Sequence, residues 1–279
     1  MLSIQTNIDS LNAQTNMNVN HAAQSNTIQQ LTSGFRINRS GDDAAGLAIA
    51  NGYRSNINEL QQGVRNANDA VSELQIIDGG LSNISTILDR MKTLATQSAS
   101  DSFTGDRGVL NKEFQDLATE ITRQATNIGL NSTGRFNATL NVYIGGGTGN
   151  SVTVDLANQA GPPAVTNSVD ATSLGITGSI DLTSAANAKT AITTINTAVS
   201  NLGLVQGVVG AGQNKLNYAI GLAQSQISNF SAAESQIRDA DVAAAAANLS
   251  KSQVLMQTSV AAMAQANQEP QAVLKLLQG

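Results

Sequence analysis

Apolar residues return at alternating intervals of three and four over Ile57, Leu60, Val64, Ala67, Val71 and Leu74, and again over Leu81, Ile84, Leu88, Met91 and Ala95. This spacing keeps one narrow stripe on a single helix face and predicts a long coiled-coil seam. Asp78, Gly79 and Gly80 interrupt it, with Ile77 standing in beside them, so a phase slip with a bend or local unwinding is expected there. Ser40-Gly41-Asp42-Asp43 has the form of a capping box, in which the Ser hydroxyl accepts from an orphan backbone N–H and the later acid favours the dipole. The helix should then start near Ala44. A second helix is marked by Leu110, Phe114, Leu117, Ile121 and Ile128, opened by a turn around Gly105 to Gly108 and closed by Gly129.

Between 129 and 184 the period changes. Leu140, Val142 and Ile144 alternate with polar residues, a Gly-rich turn follows, and Val152, Val154 and Leu156 alternate again. That predicts a β-hairpin, followed by surface loops that include a Gly161-Pro162-Pro163 turn. Helical spacing returns in Ala188, Ile192, Ile195, Val199 and Leu202, then in Leu216, Ile220, Ala223, Ile227, Phe230 and Ile237. Gly203, Gly207, Gly210 and Gly212 weaken the joint, each costing about 1 kcal/mol against Ala. The two ends carry thin apolar stripes: Ile4, Ile8, Leu11, Ile28 and Leu31 at one, and Val242, Ala246, Leu249, Met256, Val260, Met263, Val273, Leu274 and Leu277 at the other. Neither could bury its stripe alone, so the ends are expected to partner each other and neighbouring copies.

Composition supports helix against helix. Of 279 residues 41% are apolar, but only 3% are aromatic, so the small side chains suit close helix packing better than a deep interior. The fold class expected is mainly α: an elongated antiparallel helical bundle or coiled coil formed by the N- and C-terminal segments, with a small β-hairpin region in the middle. A net charge of −5, with no dense basic run, argues against nucleic acid. Cys is absent, which excludes disulfides and thiolate metal sites. No apolar stretch is long enough to insert in a membrane, and the start lacks the basic and apolar regions of a cleavable signal.

No catalytic, cofactor or metal site is expected. His21 is the single histidine, so histidine-dependent triads and paired-histidine metal motifs are impossible. Asp42 and Asp43 open a helix and point apart, which capping explains. Gly145 to Gly149 has no Lys-Ser/Thr and no following helix, as a phosphate loop would need. Met256 and Met263 stand seven apart, a packing interval.

The segments SIQTNIDSLNAQ, LTSGFRINRSGDDAAGLAIA and RDADVAAAAANLSKSQVLMQTSVAAMAQANQEPQAVLKLLQG resemble the bacterial flagellin family in sequence and order. The likeness spans roughly residues 1–127 and 185–279; the short middle implies that the large outer variable domains of longer flagellins are missing. The resemblance implies a secreted structural subunit, not an enzyme and without cofactor, that polymerises into the bacterial flagellar filament for motility. Residues 1–44 with 239–279 would form the inner coiled coil, and 45–238 a rod with helices 45–100, 106–128 and 185–236. It also implies export unfolded through the flagellar type III apparatus, and as partners further copies of the chain, the filament cap protein, the hook–filament junction protein and an export chaperone. Self-assembly would use Ile4, Ile8, Leu11, Ile28 and Leu31 with Leu249, Met256, Val260, Met263, Val273, Leu274 and Leu277.

Arg90, Leu94 and Glu113 match positions through which similar flagellins engage the vertebrate flagellin-sensing Toll-like receptor. The alternative for these residues is that Leu94 packs on the following helix and the charged pair is a solvated face. The neighbouring functional reading is a hook–filament junction protein, against which the long family-like ends, QANQEPQAVLKLLQG above all, favour the filament subunit.

Overall fold

The computed structural model describes residues 7–136, 138–147, 149–156, 158–159, 165–166, 168–176 and 180–277. Helices α1 (Ile8–Ser33), α2 (Ala44–Ala99), α3 (Arg107–Asn127), α4 (Ala185–Arg238) and α5 (Val242–Leu277) carry most of the chain. Strands β1 (Thr139–Tyr143) and β2 (Ser151–Asp155) pair antiparallel, as do the short β3 (Asn158–Gln159) and β4 (Val165–Thr166). Two compact units result, Met1–Ser55 with Asn229–Gly279, and Asn56–Ser228.

In the second unit the seam of α2 runs without a slip. Leu60, Gly63, Ala67, Ala70, Leu74, Ile77, Leu81, Ile84, Leu88, Met91, Ala95 and Ser98 are all buried, alternating three and four throughout. Asp78 lies outside this row and is exposed, and the helix continues through Gly79 and Gly80. The expected interruption is therefore absent, because Ile77 is the regular seam residue. Val64 and Val71 are half-buried flanks; the positions assigned to them belong to Gly63 and Ala70.

The reason for the small residues lies in what sits on them. A Cβ at Gly63 would fall on the carbonyl of Ile144, where β1 enters the hairpin turn. The hairpin forms as expected, in a register that sets Leu140 opposite Val154 and Val142 opposite Val152, and it buries Val142, Ile144, Val154 and Leu156. Its turn end is held by Glu59, whose Oε1 accepts from Tyr143 Oη at 2.6 Å and Gly146 N at 3.2 Å. These donors, Tyr143 first, hold the Glu59 carboxyl below its usual range.

Helix α4 also runs through its glycines. Ala188, Ala191, Ile195, Ala198, Leu202, Val205, Val209, Gly212, Leu216 and Ala223 are buried on one face. Gly203 and Gly207 are exposed, while Gly212 is a seam residue: a Cβ there would lie 2.6 Å from Val154 Cγ1 and 3.3 Å from Leu74 Cδ1. Helix α3 turns Phe114, Ala118, Ile121 and Ala125 inward, and its N-terminus is capped by Asp106 Oδ1 accepting from Gly108 N at 2.7 Å.

Two expectations need correction. The cap of α2 is Asp43, whose Oδ1 accepts from Gly46 N at 2.8 Å, because the helix begins one residue after it. Ser40 is thus too far upstream; Asp42 instead ties the preceding turn, accepting from Asn38 N and Arg39 N. Those two N–H groups, Arg39 first, lower the Asp42 pKa. The segment after the hairpin is also not all surface loop. Val169, Leu174 and Ile176 are buried, Val169 N donates to Leu130 O at 2.9 Å, and Asp170 accepts from Ser173 N at 2.7 Å and Ser132 N at 3.3 Å. The Gly161-Pro162-Pro163 turn lies outside the described residues.

Gly63→Ala should lower stability by about 1–3 kcal/mol, since the hairpin backbone must move. Gly203→Ala, in open space on the same kind of helix, should raise it by roughly 0.5–1 kcal/mol. Denaturant unfolding of both variants checks the contrast, and equal shifts would refute it.

Candidate functional site

Residues 34 to 43 and 239 to 241 are short turns, and they tie to each other. Gly34, with φ of 74°, ends α1 and donates its N–H to Gln30 O. Its carbonyl accepts from Ala240 N at 2.9 Å, while Arg36 N donates to Arg238 O at 2.6 Å. Arg36 Nη2 adds a bond to Ile237 O at 2.8 Å. The Arg238 guanidinium stands 4.2 Å from the Phe35 ring centroid, with Glu234 at 3.8 Å. Tyr53 stacks on Phe230 with centroids 5.6 Å apart.

This turn pair aligns α1 and α5 antiparallel. Asn20 Nδ2 donates to Ser259 Oγ at 3.0 Å, and Asn7 Nδ2, from the N-cap of α1, to Ala266 O at 2.7 Å. The inward row on α1 is Ser10, Ala13, Met17, Asn20, Gln24, Thr27 and Leu31; on α5 it is Ala245, Leu249, Ser252, Met256, Ser259, Met263 and Ala266. Both rows alternate three and four, and every member is buried or half-buried.

The pair mixes polar and apolar residues both inside and outside. Its seam is rich in Asn, Gln, Ser and Thr, yet Ile8 is 58% exposed, Leu11 60% and Val19 62% on α1, and Val254 59% and Val260 53% on α5. Of the residues proposed for self-assembly, Ile8, Leu11, Ile28 and Val260 face outward, whereas Leu31, Leu249, Met256 and Met263 stand in the seam. Ile4 lies outside the described residues; Val273, Leu274 and Leu277 lie on the α5 backbone beyond the described side chains. Val19 and Val254 also belong to the exposed set and lie outside the stripes that the spacing predicts. The polar seam was missed as well, though Asn20, Gln24 and Thr27 keep the same interval.

Arg90 and Glu113 come together across α2 and α3: Nε and Nη2 of the Arg donate to Oε1 of the Glu at 2.8 and 2.6 Å, in an exposed pair. Leu94 is 1% exposed and lies in the core beneath. His21 is exposed on α1. Among the described residues no helix is long and apolar enough to cross a membrane, and no three acidic or histidine side chains group as a metal site.

Two family models match the chain: the bacterial flagellin N-terminal helical region over residues 4–137 and the bacterial flagellin C-terminal helical region over 185–277. The chain belongs to the bacterial flagellin family. A flagellin of Halalkalibacterium halodurans is 36% identical, covering 98% of this chain and 99% of its own length. The flagellar filament 30.7 kDa core protein of Treponema maltophilum is 34% identical over 98% of this chain and 99% of its own. A crystal structure of Bacillus cereus flagellin is similar with TM-score 0.47 and 28% identity, covering 61% of this chain and 94% of that one. The family is one of structural filament proteins, not of enzymes. Both flagellin models cover helical segments, and the β1–β2 hairpin falls between or at the edge of them.

Free in solution, backbone amides of residues 8–31 should exchange much faster than those of 60–95, because the polar seam offers little apolar burial to resist opening. Hydrogen exchange read by mass spectrometry checks this, and equal protection of the two stretches would refute it.

Proposed function

We propose that this chain is a subunit of the bacterial flagellar filament, polymerised through the outward apolar faces of α1 and α5. The exposure of large apolar side chains on that pair carries the reading. Ile8, Leu11, Val19, Val254 and Val260 are exposed on the same helix pair, and a solitary soluble chain gains nothing from leaving them in water. Each such side chain contributes about 1.5–3 kcal/mol when buried, before ordering costs, so covering several by neighbouring copies decides polymer against monomer. A chain cut to residues 45–238 keeps α2 from its second residue, with α3, the hairpin and α4 whole. It should stay helical and monomeric, whereas the full chain should extend filament seeds at raised salt. Sedimentation and electron microscopy test this; growth of the truncated chain would place the assembly surface elsewhere.

Family membership supports the finer reading as well: export in unfolded form through the flagellar type III apparatus to the extracellular filament, with an export chaperone, a filament cap protein and a hook–filament junction protein as partners. The Arg90–Glu113 face is proposed as the part seen by the flagellin-sensing Toll-like receptor, with buried Leu94 supporting it from below. Arg90→Ala or Glu113→Ala should weaken receptor activation by the monomer and spare filament growth, since an exposed pair contributes about 0–1 kcal/mol to the fold. A receptor-reporter assay beside seeded growth checks both, and unchanged activation would remove this face from the reading.

A further inference from the structure

The seam between α1 and α5 can be followed layer by layer from a hydrogen-bonded chain that crosses it. Asn20 Nδ2 donates to Ser259 Oγ at 3.0 Å, and the Ser259 hydroxyl donates on to Leu255 O at 2.7 Å, so the hydroxyl is used as both acceptor and donor. The three-four repeat then sets the neighbours. Toward the start of α1, Met17 falls opposite Met263 and Ala13 opposite Ala266; toward its end, Gln24 falls opposite Met256, Thr27 opposite Ser252 and Leu31 opposite Leu249. The bond from Asn7 Nδ2 to Ala266 O at 2.7 Å agrees with this register.

In this alignment like faces like in every layer except Gln24 with Met256. Sliding α5 by one layer destroys the match. In one direction Asn20 meets Met256, Met17 meets Ser259 and Thr27 meets Leu249; in the other Asn20 meets Met263, Thr27 meets Met256 and Leu31 meets Ser252. An amide buried against a thioether keeps its desolvation penalty and receives no hydrogen bond in return. A single polar layer in an otherwise apolar coiled coil fixes register for the same reason, at some cost in strength.

We infer that Asn20 and Ser259 are the specificity-determining layer of the terminal helix pair, fixing where α5 lies along α1. The turn contacts at Gly34 and Ala240 hold one end of the pair; the Asn20 layer holds the register along the seam beyond them. Its consequence for growth rests on the filament reading, because only a pair in one register presents Ile8, Leu11 and Val260 in one fixed pattern to a neighbour.

The chain has no Cys, so introduced pairs report without interference. Ala13→Cys with Ala266→Cys marks the register seen here, and Ala13→Cys with Met263→Cys marks the one-layer slip. Each pair is placed in the full chain with Asn20, Asn20→Leu or Asn20→Ser, oxidised, and the intramolecular disulfide quantified. With Asn20 the first pair should close and the second stay at background. With Asn20→Leu, which is at home opposite Met256, the first yield should fall and the second rise several-fold over background. Asn20→Ser keeps polar facing polar and should match the unmodified chain. Retention of the single register in Asn20→Leu, slip in Asn20→Ser, or loss of both cross-links in Asn20→Leu would each overturn the inference. Seeded growth of the cysteine-free chain is scored separately: its failure would count against the filament reading and leave the cross-link comparison standing.

Discussion

Close approach of backbone to helix is the constraint on which the Asn56–Ser228 unit depends. The turn end of the hairpin lies where Gly63 leaves space, and Val154 reaches α4 where Gly212 does. Any side chain at Gly63 would hold the Ile144 carbonyl off α2, and with it Val142 and Val154, which are buried only because the hairpin lies flat. The seam therefore alternates large residues, Leu60, Leu74 and Leu81 among them, with small ones at Gly63, Ala67 and Ala70. Close packing of this kind leaves few voids and holds each partner in one place.

The terminal pair has a more mixed seam. Where α2 keeps its seam apolar almost to the end, α1 and α5 place Asn20, Thr27, Ser252 and Ser259 inward and Ile8, Leu11, Val19, Val254 and Val260 outward. A seam of this composition stabilises little by burial, so what holds one pair together is geometry: the turn contacts of Gly34, Arg36 and Arg238, and the Asn20 layer.

Much of this was legible in the sequence. The presence of the helices, the hairpin and the turn at Gly129 follows from spacing and from Gly, because those signals are local. What went unread shares one cause. A search for large apolar residues passes over Gly63, Ala70 and Gly212, so a regular seam looks as though it slips at Asp78 and breaks near Gly203. The same preference for large apolar residues picks out Ile8 and Leu11, which are exposed, and passes over Met17, Asn20 and Gln24, which lie inward at the same interval. Burial of Val169, Leu174 and Ile176 could not be read at all, since it depends on Leu130, distant in sequence, supplying the carbonyl for Val169. Leu94 is instructive too, because it is buried beside the α2 seam and not in its three-four row.

Charge completes the argument for a chain that is stable alone and sticky in company. With a net charge of −5, copies repel weakly at low salt, and that repulsion acts over a Debye length of about 10 Å at 0.1 M. The ion pairs Arg90–Glu113, Arg123–Glu120 and Arg135–Glu73 are intramolecular and largely exposed, so added salt weakens each by little that the fold needs. Salt thus removes the repulsion between copies and leaves the apolar attraction, which sulfate and phosphate strengthen further by their exclusion from protein surface. On the filament reading proposed above, the same addition spares the seams of the folded chain and favours burial of Ile8, Leu11, Val254 and Val260 between chains.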